Sequence, residues 1–222
     1  DIKNIKTKKL SGIFHFAAQV SVPLSLKKFY NSTSNNLTGT IKVFEISKKY
    51  KAPVIYASSS AVYGNLSLGD DKIKKFSLLS PYAQDKLTME NYAKLFYEIF
   101  KTSSVGLRLF NVYGVGQNPK SPYAAVVPIF IYRMLNNLPV TINGGYQTRD
   151  FIFVEDVIKV AIKSMSKIQK KTFHDNFNLC TGRSVKIDSL YNLIKKTIKS
   201  HPKLIRKKLE KHDPKKSLGT VT

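Results

Sequence analysis

The chain has 222 residues, 42% hydrophobic and 23% charged, with 37 Lys and Arg against 14 Asp and Glu and a formal net charge of +23. So much apolar side chain excludes disorder as the default and fills the core of one or two globular domains. No apolar run approaches a membrane span, the first residues lack the apolar segment of a secretory signal, and a single cysteine, Cys180, excludes an intrachain disulfide framework, so a cytoplasmic protein is expected.

The charge invites a nucleic-acid reading. Of the basic residues, however, only Arg108, Arg133, Arg149, Arg183 and Arg206 are arginine. The lysines are scattered over expected helix surfaces without interleaved aromatics. Nucleic acid is therefore not the expected partner, beyond non-specific attraction to polyanions at low salt. The densest run, 195–216, fits both a solvated helix face and an electrostatic patch.

In chain order, Gly12-Ile13-Phe14-His15-Phe16-Ala17-Ala18 is an apolar run of strand length ending in small residues, which let a ligand approach the backbone. His15 has no Cys, His or acidic partner at ligand spacing and reads as a core histidine, so no metal site is expected. After the Ser/Asn-rich segment 31–36, Leu37, Ile41 and Phe44 recur at helical spacing. Val54-Ile55-Tyr56-Ala57 then reads as a buried strand carrying Ser58-Ser59-Ser60 to its carboxyl end, where open α/β sheets keep their sites.

Ser80-Pro81-Tyr82-Ala83-Gln84-Asp85-Lys86 reads as a helix opening, with core positions at Leu87, Met89, Tyr92, Ala93, Phe96 and Phe100. Tyr82 and Lys86 fall on one face. A nearby ammonium favours a phenolate and would let Tyr82 move protons near neutral pH, although such a pair also occurs on ordinary helices. Val105 to Phe110 is a third strand. Strands separated by helices predict a doubly wound parallel sheet, an α/β fold.

In the second half, 123–137 reads as a helix, Val140-Thr141-Ile142 as a strand, 149–154 as another, and Glu155-Asp156 as the cap of a helix running to about Ile168. A strand at 177–180, holding Cys180 as core, and a helix at 188–199 follow. Arg149 offers a fork for phosphate, or an ion pair with Asp150 or Glu155. The expected division is a partial Rossmann-type domain over 1–115 and a mainly substrate-binding lobe over 116–222, with 139–180 partly returning to the first domain.

Taken together, Phe14 to Ala18, Tyr56 to Gly64, Ser80 to Lys86, Leu107 to Gly114 and Thr148 to Val154 resemble, in order and spacing, the extended short-chain dehydrogenase/reductase family, specifically its NAD-dependent nucleotide-sugar epimerases and dehydratases. Gln117-Asn118-Pro119 and 121–128 are most similar to 4-epimerases acting on UDP-hexoses and UDP-N-acetylhexosamines. Ser60-Ala61 stand where the dehydratases carry Asp-Glu. The resemblance implies Tyr82 as base, Lys86 as the group that lowers its pKa and holds the nicotinamide ribose, and Ser59, with Ser60, on the sugar hydroxyl. It implies NAD lined by Phe16, Ala17, Ala18, Gln19, Asn36 and Phe110. A UDP-sugar would be held by Asn111, Ala125, Val126, Thr141, Ile142, Asn143 and Arg149, with Ser21 near the sugar, in a homodimer.

Two departures follow from the same comparison. The family's opening strands and glycine-rich phosphate turn are not among these residues, Gly114-Val115-Gly116 being the only Gly-x-Gly. The expectation is an N-terminally truncated epimerase whose strand at 12–17 forms an open edge, and which alone neither retains NAD nor turns over substrate unless a separate polypeptide supplies the rest. Near the other end, 210–217 lacks an expected phosphate-binding arginine, so 218–222 is expected not to close the substrate lobe. The alternatives are a catalytically dead lysine-rich remnant that binds polyanions or RNA, and a nucleotide-sugar dehydratase or reductase.

Overall fold

The computed structural model describes residues 9–121 and 124–221. The first elements in chain order are β1 (Ile13–His15), α1 (Val22–Lys27), α2 (Phe29–Thr33), a π-helical turn (Ser34–Thr38) and α3 (Gly39–Tyr50). Next come β2 (Val54–Ser59), a 3-10 turn (Ser60–Tyr63), α4 (Pro81–Phe100), β3 (Ser104–Leu109) and β4 (Asn111–Tyr113). The second half holds α5 (Val126–Leu135), β5 (Val140–Asn143), β6 (Thr148–Arg149), β7 (Phe151–Phe153) and α6 (Val154–Ile168). It closes with β8 (His174–Leu179), β9 (Val185–Lys186), α7 (Ile187–Ile198) and β10 (Leu204–Lys207).

The main sheet is parallel, in the order β1-β2-β3-β8. It is the doubly wound α/β arrangement expected, with helices on both faces. Alternation along the strands decides which side chains meet which helix. Val54 and Tyr56 pack with Phe44 of α3 and with Met89, Ala93 and Phe96 of α4. Ile55, Val105 and Leu107 point the other way, onto Val157, Ala161, Met165 and Ile168 of α6. Each such fully buried side chain contributes about 1.5–3 kcal/mol. Gly106 is required by this packing, because a Cβ there would lie 2.6 Å from the Tyr56 ring and 2.0 Å from Asn176 Oδ1. Smaller pairings, β4 with β7, β6 with β9 and β5 with β10, carry the second half around a separate core of Phe130, Met134, Ile142, Leu190 and Ile194.

Several boundaries differ from the sequence reading. The polar segment 31–36 is helical rather than a leader to a helix, because α1, α2 and the π turn run almost without interruption into α3. Helix α5 starts at Val126, and Tyr123, where a helix start was expected, lies outside the described residues. Glu155 and Asp156 sit in the first turn of α6 but do not cap it, the N-cap being Phe153. Phe100 ends α4 as a 45% exposed ring rather than in the core.

The described residues of the last stretch bond back onto Thr148 and onto the loop before α4. Ser217 N donates to the Thr148 carbonyl (3.1 Å), Gly69 N to the Leu218 carbonyl (2.8 Å) and Thr220 N to the Gly69 carbonyl (2.9 Å).

Candidate active site

Helix α4 is positioned from its first residue. Ser80 is its N-cap, with Oγ accepting from Ala83 N at 3.2 Å, and Pro81 fixes the first turn. Tyr82 N donates to Ser25 Oγ at 3.3 Å, tying that turn to α1. The face turned to the sheet is polar at Asp85, Lys86 and Glu90 and apolar at Met89, Ala93 and Phe96. The polar end lies over the carboxyl end of β2.

The three serines there part company. Ser58 is buried and its hydroxyl donates to Glu90 Oε1 at 2.5 Å. Ser59 caps the 3-10 turn, accepting from Ala61 N at 3.1 Å, and its hydroxyl faces the Tyr82 phenol closely enough to oppose the rise in that phenol's pKa. Ser60 begins the turn and is half-buried.

Burial raises the Tyr82 phenol above its ordinary value, the Ser59 hydrogen bond opposes this, and the Asp85 charge adds to it. Lys86 lies beside Tyr82 on the same face of α4. Its ammonium donates to the Ala57 carbonyl at 2.7 Å and stands 5.7 Å from the Tyr82 ring centroid. Burial lowers Lys86 from 10.5 to about 8, with Asp85 and Glu90 pulling it back up. The unfolded chain therefore binds more protons than the folded one between pH 8 and 10.5, so stability rises with pH across that window. Lys86→Met is expected to flatten this rise, read as Tm against pH from about 7 to 10. Parallel curves for the two proteins would contradict it.

The loop after β1 holds the other candidates. Asn36, buried in the π turn, accepts from Gln19 N (2.7 Å) and donates to the Gln19 carbonyl (3.0 Å) and to Asp85 Oδ2 (3.3 Å). Asp85 Oδ1 accepts from Thr33 at 2.8 Å. Asn36 thus fixes the loop carrying Phe16, Ala17 and Ala18 relative to α4. The Gln19 amide turns inward, to Ser32 Oγ at 2.8 Å, and Ser21 Oγ caps α1. Phe110 is 6% exposed and packs against Tyr63 with centroids 6.2 Å apart, which places it in the core rather than on an open wall. His15 is satisfied by Thr40 Oγ1 at 3.0 Å, and the described residues hold no group of side chains fit for a metal ion.

A second set converges past the ends of β3 and β4. A cavity of about 520 Å³ is lined by Asn111, Ala125, Val126, Thr141, Ile142, Asn143 and Arg149 together. That volume suits a small-molecule ligand. Arg149 pairs with neither Asp150 nor Glu155. Its guanidinium donates to Asp213, to the Thr148 carbonyl (2.8 Å) and to the Pro214 carbonyl (2.9 Å). Asp150 instead accepts from Thr181 and Gly182. Burial raises the Asp213 carboxyl, and Arg149 opposes that. Sequence reasoning missed Asp213, Arg133 and Gln147 on this wall; no local signal marks them, since the elements carrying them meet only in the folded chain.

The family described as "NAD dependent epimerase/dehydratase family" matches residues 2–180. A Methanocaldococcus jannaschii protein provisionally named a UDP-glucose 4-epimerase is 34% identical over 88% of this chain and 64% of its own length. A human dTDP-D-glucose 4,6-dehydratase is 32% identical over 86% of the chain and 55% of its own length. A Thermotoga maritima UDP-glucose 4-epimerase with UDP-glucose superposes with a TM-score of 0.89 at 30% identity, covering 96% of this chain and 69% of that one. The chain thus spans less than two thirds of the length of these two curated relatives.

Proposed function

This chain belongs to the NAD-dependent epimerase/dehydratase family, and from that premise we propose that its site inverts a UDP-sugar, a UDP-hexose or UDP-N-acetylhexosamine, at C4. The observations that carry the reading are the Tyr82 phenol facing Ser59 at the end of β2 and, past the ends of β3 and β4, a 520 Å³ cleft walled by apolar, amide and guanidinium groups.

The residues present fit NAD. Lys86 is a buried ammonium with three donors, one of which goes to the Ala57 carbonyl, leaving donors for ribose hydroxyls. Ala17 and Ala18 keep the end of β1 open to close approach, and Asn36 holds that loop in place. NAD+, held there, would supply the hydride acceptor and donor for the sugar C4. Tyr82 Oη, as the phenolate that the Lys86 ammonium 5.7 Å from its ring favours against burial, would accept the proton of the C4 hydroxyl and give it back once the 4-keto sugar has turned over. The Ser59 hydroxyl, which lowers the phenol pKa, would donate to the same oxygen and stabilise the phenolate side of the exchange. Asn111, Thr141, Asn143 and Arg149 orient the UDP, and Asp213 yields the Arg149 guanidinium to the diphosphate, a better bidentate partner.

Cofactor retention by these 222 residues is proposed to be weak, because no glycine-rich strand-to-helix turn lies among them. Association into a homodimer belongs to the same proposal, Leu95 and Ile99 being apolar and exposed on the outer face of α4. The second reading, a dehydratase, is favoured by the likeness to the human enzyme. Against it, Ser60-Ala61 at the end of β2 supply no acid/base pair. Product analysis with UDP-sugar and added NAD+ separates the two: a C4 epimer supports the proposal, whereas a dehydrated sugar or net NADH overturns it.

A further inference from the structure

At the opposite, amino-terminal edge of the main sheet lies a second cavity, of about 860 Å³, where α3, α4 and α6 all end. Besides Lys9, it is lined by Lys48 and Lys51 from the end of α3, Lys101 from the end of α4, and Lys170 and Lys171 just past α6. No Asp or Glu stands among the described residues lining it.

The ordinary account of such lysines is that they answer the negative ends of helix dipoles. Each helix end is worth about half a charge, so three ends offset about 1.5 of the charge on those five side chains and leave a surplus of roughly 3.5. Local contacts use part of two of them. Lys101 Nζ donates to the Glu98 carbonyl at 3.3 Å, and Lys48 Nζ lies 4.4 Å from the Phe100 ring centroid. None of the five takes part in an ion pair among the described residues. A concave surface with uncompensated ammonium groups and the hydroxyls of Ser11 and Thr172 at its rim has the chemistry of a phosphate site.

The lining also says which phosphate ligand it suits. It contains no arginine fork, and Phe100, its one aromatic ring among the described residues, is covered by Lys48, so it offers no platform for stacking bases. Lysines act as point charges on phosphate. We propose that this cavity binds a linear oligophosphate anion, independently of the nucleotide cleft at the other end of the sheet.

The test is calorimetric titration of inorganic tripolyphosphate into the 222-residue chain at about 50 mM salt, where charge-driven binding is strong. Lys170→Gln/Lys171→Gln is expected to weaken binding about tenfold and Lys170→Glu/Lys171→Glu further, while the same Glu changes at the exposed Lys72 and Lys75 cost less than about twofold. Acetylation footprinting of the unsubstituted chain is expected to show Lys51, Lys170 and Lys171 protected by tripolyphosphate, a readout that needs no variant to fold. Equal losses in the two sets of variants, no titration by the parent, or no protection would overturn the proposal. So would a single-stranded RNA oligonucleotide that binds more tightly than tripolyphosphate and loses that binding in Lys170→Gln/Lys171→Gln, which would make the site a nucleic-acid one.

Discussion

Tyr82→Phe is expected to reduce C4 epimerisation by about 10²–10⁴-fold, the range for removing a positioned proton acceptor. The ring is 9% exposed, so the substitution keeps the packing and deletes only the phenol oxygen that faces Ser59. With the phenol raised by burial, Ser59 is the group that pulls it back, so Ser59→Ala is expected to lower turnover by less and to move the rising limb of its pH profile upward. Product chromatography with NAD+ supplied in excess reads both. A Tyr82→Phe protein within about tenfold of the parent would remove Tyr82 from the proton transfer.

The largest expected effect on stability comes from the network behind the site. Arg108 donates to Glu90 twice, Nε to Oε1 at 2.9 Å and Nη2 to Oε2 at 2.6 Å, and its Nη1 donates to Tyr63 Oη at 2.7 Å. Tyr63 donates onward to Asn178 at 2.8 Å, and Ser58 donates to the same Glu90. Both charged side chains are 4% exposed, so β2, β3, β8, α4 and the 3-10 turn are joined through one desolvated pair. Arg108→Met leaves the Glu90 carboxylate buried without its counter-charge, at a cost of about 3–5 kcal/mol. Against the 5–15 kcal/mol of a typical domain, that is a large fraction. Replacing both, as Glu90→Leu/Arg108→Met, is expected to recover most of the loss, because the desolvation of two ions disappears with them. Urea denaturation of the two variants decides it; a double variant as unstable as the single one would show that the pair is net stabilising.

The sequence makes some of this architecture legible because the relevant signals are local. Ser80-Pro81 marks the start of α4, the apolar run before Ser58 marks β2, and Tyr82 and Lys86 share a face by spacing alone. Of the residues that the resemblance implies for a UDP-sugar, Asn111, Thr141, Asn143 and Arg149 line one cleft. What escaped depends on contacts distant in the chain. Asp213 reaches Arg149 across 64 residues, and Glu90 meets Arg108 only because α4 crosses the sheet. Which of three adjacent serines faces Tyr82 is decided by the 3-10 turn, and the direction of the Tyr82 and Lys86 shifts is decided by burial, which spacing does not report. Phe110 looked like a cofactor contact and is a core ring, because Tyr63 and the turn before it cover that end of β3.

The most direct measurement follows the hydrogen on C4. Incubating the chain and excess NAD+ with UDP-glucose or UDP-N-acetylglucosamine deuterated at C4, and resolving the products by chromatography and mass spectrometry, should yield the C4 epimer with the deuteron still on C4 and no accumulation of NADH. A 4-keto-6-deoxy sugar, a product that has lost the deuteron to solvent, or net NADH would contradict an epimerase working through Tyr82.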